Sequence, residues 1–306
     1  MTAAASAAFE TAVDELAFHR LAPELRPFAG WCTGYRQAGV APARHRGLPS
    51  PWLTLIVTLD DPLTIIRHPD PRQPTSSHDT LLGGLHTSPA LISHGGSQSG
   101  VQIGLTPLGA RSLLGMPASE LANIDVEASD VLGGLAGELR ERVGAAPDWA
   151  GRFAAIEEVL ARRVRAFSAD ASALGPAGAA HPGRVHSEVG YAWRRLRETA
   201  GTVGVAALAE ETGWSTRYLG ARFRAETGLS PKAAARVFRF SRARRLLLAR
   251  HTAGERSILA GLAADCGYYD QAHLAREFRD LAGCPPSVWL AEEFRIVQAT
   301  LHDGWE

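Results

Sequence analysis

At 306 residues, 45% of them hydrophobic, the chain is long enough for two domains that each bury a core. No apolar run approaches the ~18 residues of a membrane span, and the first residues lack the basic and apolar blocks of a secretory signal, so a cytoplasmic protein without a membrane contact is expected. Three scattered cysteines without a C-x-x-C pair disfavour disulfides and a zinc site, and a net charge of zero disfavours an architectural protein that coats nucleic acid by charge alone.

Short β-type runs come first, at 31–37, 52–59, 63–67, 90–94 and 101–106, separated by Pro, Gly and Asp clusters. Helical patterns follow at 107–114, 129–143 and 149–167. In the last, Phe153, Ile156, Leu160, Val164 and Phe167 recur every three or four residues as one apolar stripe, suited to a dimer contact or to packing on its own domain. Strands followed by helices predict an α+β domain over 1–167, a small barrel or sandwich plus helices. Its histidines, His45, His68, His78, His86 and His94, have neither an H-x-H pair with a placed carboxylate nor i, i+4 spacing. They read as scattered surface and loop residues, against a metal-binding small-barrel enzyme fused to a DNA-binding domain. Cys32, alone in a strand, is a small core residue or an oxidant sensor. No phosphate loop, nucleophile elbow or paired carboxylates support catalysis, so neither an enzyme nor a cofactor is expected.

An Ala/Gly/Pro/Ser-rich stretch over 168–185 reads as a linker, and everything after it as helix: 187–199, 205–211, 215–226, 231–250, 257–265 and 270–281. Charge divides at the same place. Residues 1–183 hold 14 Lys+Arg against 18 Asp+Glu (−4), whereas residues 184–295 hold 18 against 12 (+6).

The helical part contains a repeat. Ala206, Leu208, Ala209, Gly213 and Trp214 match Ala260, Leu262, Ala263, Gly267 and Tyr268; Leu219, Phe223 and Gly228 match Leu274, Phe278 and Gly283, with one residue added near Tyr269. Each copy has the mechanics of a helix-turn-helix. A small residue lets two helices cross, a glycine ends the first, Ser215 or Asp270 caps the second, and an i, i+4 apolar pair pins that helix to the core. The second helix's outer face is left free for a major groove. Between the copies, 231–250 predicts a stiff spacer helix. Its Arg236, Arg239, Arg242, Arg244 and Arg245 face DNA or simply solvent.

These stretches, AALAEETGWSTRYLGARFRAETGLSP and LAGLAADCGYYDQAHLAREFRDLAGCPPSVW, resemble the AraC/XylS family of bacterial transcription regulators. The resemblance covers about 100 residues and implies an all-α domain over 186–306, two helix-turn-helix units joined by a long helix, binding an asymmetric promoter site across two adjacent major grooves. It places DNA contacts on Thr216, Arg217, Gly220, Ala221, Arg222 and Arg224 in the first unit. In the second it places them on Gln271, Ala272, His273, Arg276 and Arg279. Arg217 and Arg276 suit a bidentate contact to guanine and Gln271 suits adenine, while Gly220 and Ala221 offer only close approach or a thymine-methyl contact. His273, beside Leu274, is a DNA contact or a packing residue. The run 105–126 resembles the end of the N-terminal domain in one subgroup. Family members carry such domains to sense a small-molecule effector, to form a homodimer, or both, and an activator would also contact RNA polymerase. The residues identify no effector.

Overall fold

The computed structural model describes residues 13–173, 185–255 and 258–293. Most of the expected linker, Ser257 and both chain ends lie outside them. The N-terminal part contains β1 (Val13–His19), β2 (Ala29–Ala38), β3 (Ala43–Gly47), β4 (Leu53–Thr58), β5 (Leu63–Arg67), β6 (Ser76–His78), β7 (Thr80–Gly83), β8 (Ala90–His94), β9 (Gln98–Leu105) and β10 (Asp125–Glu127). They form a six-stranded sheet, β1-β2-β9-β4-β7-β10, and a four-stranded sheet, β3-β8-β5-β6. Every strand pairing among the described residues is antiparallel, with Tyr35 opposite Gly100 and His45 opposite Ile92. The α+β expectation with a small two-sheet unit therefore holds, in its sandwich form.

Strand alternation assigns the two faces of the large sheet. On β2 the odd positions Trp31, Thr33, Tyr35 and Gln37 turn toward the small sheet, where Tyr35 shares a cavity with Leu63, Ile92 and His94. Gly34 lies on the opposite face, directly beneath the indole of Trp149, which occupies the space a Cβ would need. The apolar core between the sheets is small: Ile56, Leu63, Ile65, Leu81, Ala90 and Ile92. The outer face of the large sheet carries the larger core.

That outer core is covered by α1 (Ala110–Leu114), α2 (Ser129–Leu132), α3 (Gly134–Ala145) and α4 (Trp149–Ala173), with short 3-10 turns at 107–109 and 118–121. Phe153, Ile156, Val159 and Leu160 of α4 are buried inside this domain, so most of the apolar stripe packs on its own domain. Helix α4 also continues six residues past its expected end, through Ala173.

The C-terminal part is helical throughout its described residues: α5 (Ser187–Glu198), α6 (Val205–Thr212), α7 (Thr216–Thr227), α8 (Pro231–Thr252), α9 (Ile258–Asp265), α10 (Gln271–Ala282) and α11 (Pro286–Glu293). Pro231 and Pro286 open their helices at a position whose N–H has no intrahelical partner in any case. The two parts of the chain touch. Arg111 of α1 donates two parallel hydrogen bonds to Glu226 of α7, Nε to Oε1 at 2.8 Å and Nη2 to Oε2 at 2.9 Å. Ser119 donates to the Ala225 carbonyl at 2.7 Å, and Arg46 of β3 forms a second fork on Glu292 of α11.

Candidate nucleic-acid interface

Helices α6 and α7 form the first turn unit. Gly213 sits at φ 70°, a left-handed conformation that ends α6, and the Trp214 N–H then reaches back to the Ala209 carbonyl at 3.0 Å. Ser215 caps α7 by accepting from the Tyr218 N–H. Leu219 and Phe223 are fully buried, Phe223 stacked 5.8 Å from Trp193. Burying two such side chains contributes on the order of 1.5–3 kcal/mol each, enough to fix which face of α7 points inward.

The second unit repeats these bonds. Gly267 sits at φ 71°, the Tyr268 N–H bonds to the Ala263 carbonyl at 2.9 Å, and Asp270 caps α10 by accepting from the His273 N–H at 2.6 Å. Leu274 and Phe278 are fully buried, with Phe278 edge-on to Phe240 at 4.9 Å. The sequence repeat is thus a repeat of structure, and α8 joins the two units.

With the inner faces fixed, the opposite faces are exposed. Thr216, Arg217, Ala221, Arg222 and Arg224 of α7 are exposed and Gly220 is half-buried. On α10, Gln271, Ala272, Arg276 and Arg279 are exposed and His273 is half-buried. His273 is tied locally: its Nδ1 accepts the Tyr269 N–H at 3.3 Å and its ring stands edge-on to Tyr268. With Nδ1 accepting, the ring hydrogen belongs on Nε2, which remains available as a donor.

The arginines fall into two populations. Arg195 pairs with Glu211, Arg236 with Glu277 and Asp280, and Arg250 with Asp265 and Glu255; Arg239 donates to the Gly201 carbonyl. Arg236 and Arg239, expected to face DNA or solvent, instead hold α8 to α10 and to the turn after α5. By contrast, the side chains of Arg217, Arg224, Arg276 and Arg279 make no ion pair or hydrogen bond among the described residues. Arg222 donates only to its neighbour, the Tyr218 hydroxyl, at 3.1 Å. Two aromatic residues on this side escaped the sequence reading: Tyr218 and Tyr269, 42% and 93% exposed. The repeat carries a signal for Tyr269, the added residue of the second copy, and none for Tyr218.

The N-terminal histidines correct the expectation of scattered surface and loop residues. His45, His68 and His78 are buried. His68 Nδ1 lies 3.0 Å from Asp125 Oδ2, and Ser76 Oγ bridges His68 Nε2 (2.9 Å) and His78 Nε2 (2.7 Å). His78 Nδ1 faces Glu127 at 3.3 Å, and His86 faces the second Asp125 oxygen at 3.3 Å. Burial opposes ionisation of Asp125, but hydrogen bonds from His86 and then His68 outweigh it and hold the carboxyl below its ordinary range. Among the described residues no group of three or more His, Cys, Asp or Glu side chains is arranged to hold a metal ion. Cys32 is buried, and burial pushes its thiol far up, with the Glu157 charge adding to the effect, so the core reading applies and the thiolate of an oxidant sensor is disfavoured.

At one end of the two sheets a cavity of about 480 Å³ is lined by Tyr35, Thr58, Leu63, Ile92, His94 and Gln98 among others. Polar side chains are buried on β2 and β3 as well. Neither ring nitrogen of buried His45 has a hydrogen-bond partner among the described residues, nor do Trp31 Nε1 and Thr33 Oγ1. Burial and then the nearby His94 push His45 down to about 4.

Residues 208–292 match a family model described as a helix-turn-helix domain. None of the curated proteins matches the chain. Among solved structures, the chain is similar to the C-terminal domain of AraT, a response regulator from Geobacillus stearothermophilus, with 21% identity and a TM-score of 0.32 over 35% of this chain and 87% of that one. ToxT from Vibrio cholerae O395 is 14% identical, with a TM-score of 0.45 over 85% and 96%. The AraC-like transcriptional activator CuxR is 15% identical, with a TM-score of 0.30 over 77% and 86%.

Proposed function

We propose that the chain is a DNA-binding transcription regulator of the AraC/XylS type, that its helix-turn-helix domain over residues 208–292 binds promoter DNA, and that α7 and α10 read successive major grooves of one asymmetric site. The observation that carries this reading is the division of the arginines. Those on the outer faces of α7 and α10 have no internal carboxylate, whereas Arg195, Arg236 and Arg250 around them are paired. Arg217 and Arg276 each take guanine bidentately and Gln271 takes adenine. Thr216 and the His273 Nε2–H add polar contacts, Gly220 and Ala221 allow close approach or meet a thymine methyl, and Arg222, Arg224 and Arg279 hold phosphates.

In this reading residues 1–167 receive a signal, 168–185 connect, and 186–306 bind DNA. A small-molecule effector in the cavity between the sheets acts through its differential affinity for two placements of the domains, in which the Arg111–Glu226 and Ser119–Ala225 contacts are made or broken. A homodimer through the N-terminal domain would use the half-buried end of the α4 stripe, Val164 and Phe167. An activator would in addition touch RNA polymerase.

The test is to incubate the protein with sheared DNA from its source organism at near-physiological salt, with and without cell extract, and to sequence what is retained. Enrichment of a few sites sharing a ~15–20 base-pair asymmetric motif supports the reading. Flat, salt-sensitive retention in both conditions, or none, contradicts it.

A further inference from the structure

We infer that Tyr269 is a DNA-backbone anchor for the second recognition helix, its ring set against a deoxyribose and its hydroxyl donating to a phosphate. The inference rests on the reading that α10 enters a major groove. A single exposed aromatic residue is ordinary on a protein surface; the position of this one is not. Its side chain is 93% exposed and makes no hydrogen bond or ring contact among the described residues. Yet the turn that carries it is held at three points. The Tyr268 N–H bonds to the Ala263 carbonyl, the Tyr269 N–H to His273 Nδ1, and Asp270 accepts from the His273 N–H.

In the first unit Trp214 leads directly to the cap Ser215, whereas in the second Tyr269 is added between Tyr268 and the cap Asp270. The addition therefore falls one residue ahead of the groove-facing residues Gln271 and Ala272, separated from them by the cap Asp270. Side chains of a helix lean toward its N-terminus, so the outer surface of the first turn of α10 extends over the turn that presents Tyr269. A recognition helix entering a groove by its N-terminal end brings that turn beside a phosphate strand. A neutral tyrosine there contributes ring contact and one hydrogen bond, and displaces no counterion.

Binding of the full chain to a selected site should be followed by fluorescence anisotropy across a salt series, for wild type, Tyr269→Phe, Tyr269→Ala and Arg276→Ala, with circular dichroism to check folding. Loss of one hydrogen bond predicts about fivefold weaker binding for Tyr269→Phe. Tyr269→Ala should be weaker still. Both losses should be equal on every single-base variant of the site, with the salt slope unchanged. A base-selective loss would make Tyr269 a reader of sequence and overturn the anchor. So would unchanged affinity in Tyr269→Ala while Arg276→Ala binds weakly; if transcription with RNA polymerase then fell, the ring would be a protein contact. If Arg276→Ala also binds normally, the underlying placement of α10 fails instead.

Discussion

Gly213 and Gly267 occupy equivalent turns at φ 70° and 71°, but their surroundings differ. A Cβ on Gly213 would meet nothing within 4 Å, while one on Gly267 would stand 2.7 Å from Thr202 Cγ2. Gly213→Ala should therefore cost only the left-handed backbone term, about 1–2 kcal/mol, and Gly267→Ala measurably more. Paired urea denaturation curves check this; equal losses would mean that Thr202 yields freely. His45 supplies a pH prediction. Its folded pKa is pushed from 6.5 to about 4, so between those values the unfolded chain binds the extra proton. Stability must then fall as pH drops through that window, by on the order of 3 kcal/mol at its lower end. His45→Gln should flatten the fall in the urea midpoint between pH 7 and pH 4.5, and an unaltered slope would assign it to other groups. Arg276→Ala should weaken binding by ~1–3 kcal/mol and relax specificity at one base, whereas an equal loss on all sequences would make Arg276 a phosphate contact.

At the scale of elements, the joint between α1 and α7 is the most exposed to test. Glu226 is buried, and its carboxylate takes a forked contact from Arg111, which is itself one-fifth exposed. Removing the guanidinium leaves a shielded charge unpaired. The cost of Arg111→Ala should lie between the ~1 kcal/mol of a surface pair and the ~3–5 kcal/mol of a broken buried one. Glu226→Gln together with Arg111→Ala should restore part of it, measurable in a double-mutant cycle of thermal midpoints; additive losses would show no coupling across the joint. The strands differ in how openly the sequence announces them, and the reason is physical. β4 and β9 carry long apolar runs and were expected. β3, β6 and β10 point His45, Ser76, His78, Asp125 and Glu127 into the fold, so their inward face is polar and the apolar alternation that marks a strand is missing. β1 lies at the sheet edge with much of its surface exposed, which removes the pattern for a different reason. Helix α11 was hidden behind Pro285-Pro286, which suggests a stop although Pro286 begins a helix.

Across the whole molecule, what was legible was local and repeated. The spacing of Ala209, Gly213, Ser215, Leu219 and Phe223, and its second copy, encodes helix crossing, turn, cap and inner face within about fifteen residues each. The candidate DNA-facing residues follow by subtraction. The histidine–carboxylate network, the cavity between the sheets and the joint between Arg111 and Glu226, 115 positions apart, depend on which distant strands and helices meet, and no local period carries that. In the proposed complex one chain presents two recognition helices to two successive grooves. Hydroxyl-radical footprinting on a selected site, with wild type, Arg217→Ala and Arg276→Ala, tests it most directly. Two protected blocks are expected about one helical turn, ~34 Å, apart on one face of the duplex, with each arginine variant relaxing protection in a different block. A single protected block, or both variants relaxing the same one, would contradict it.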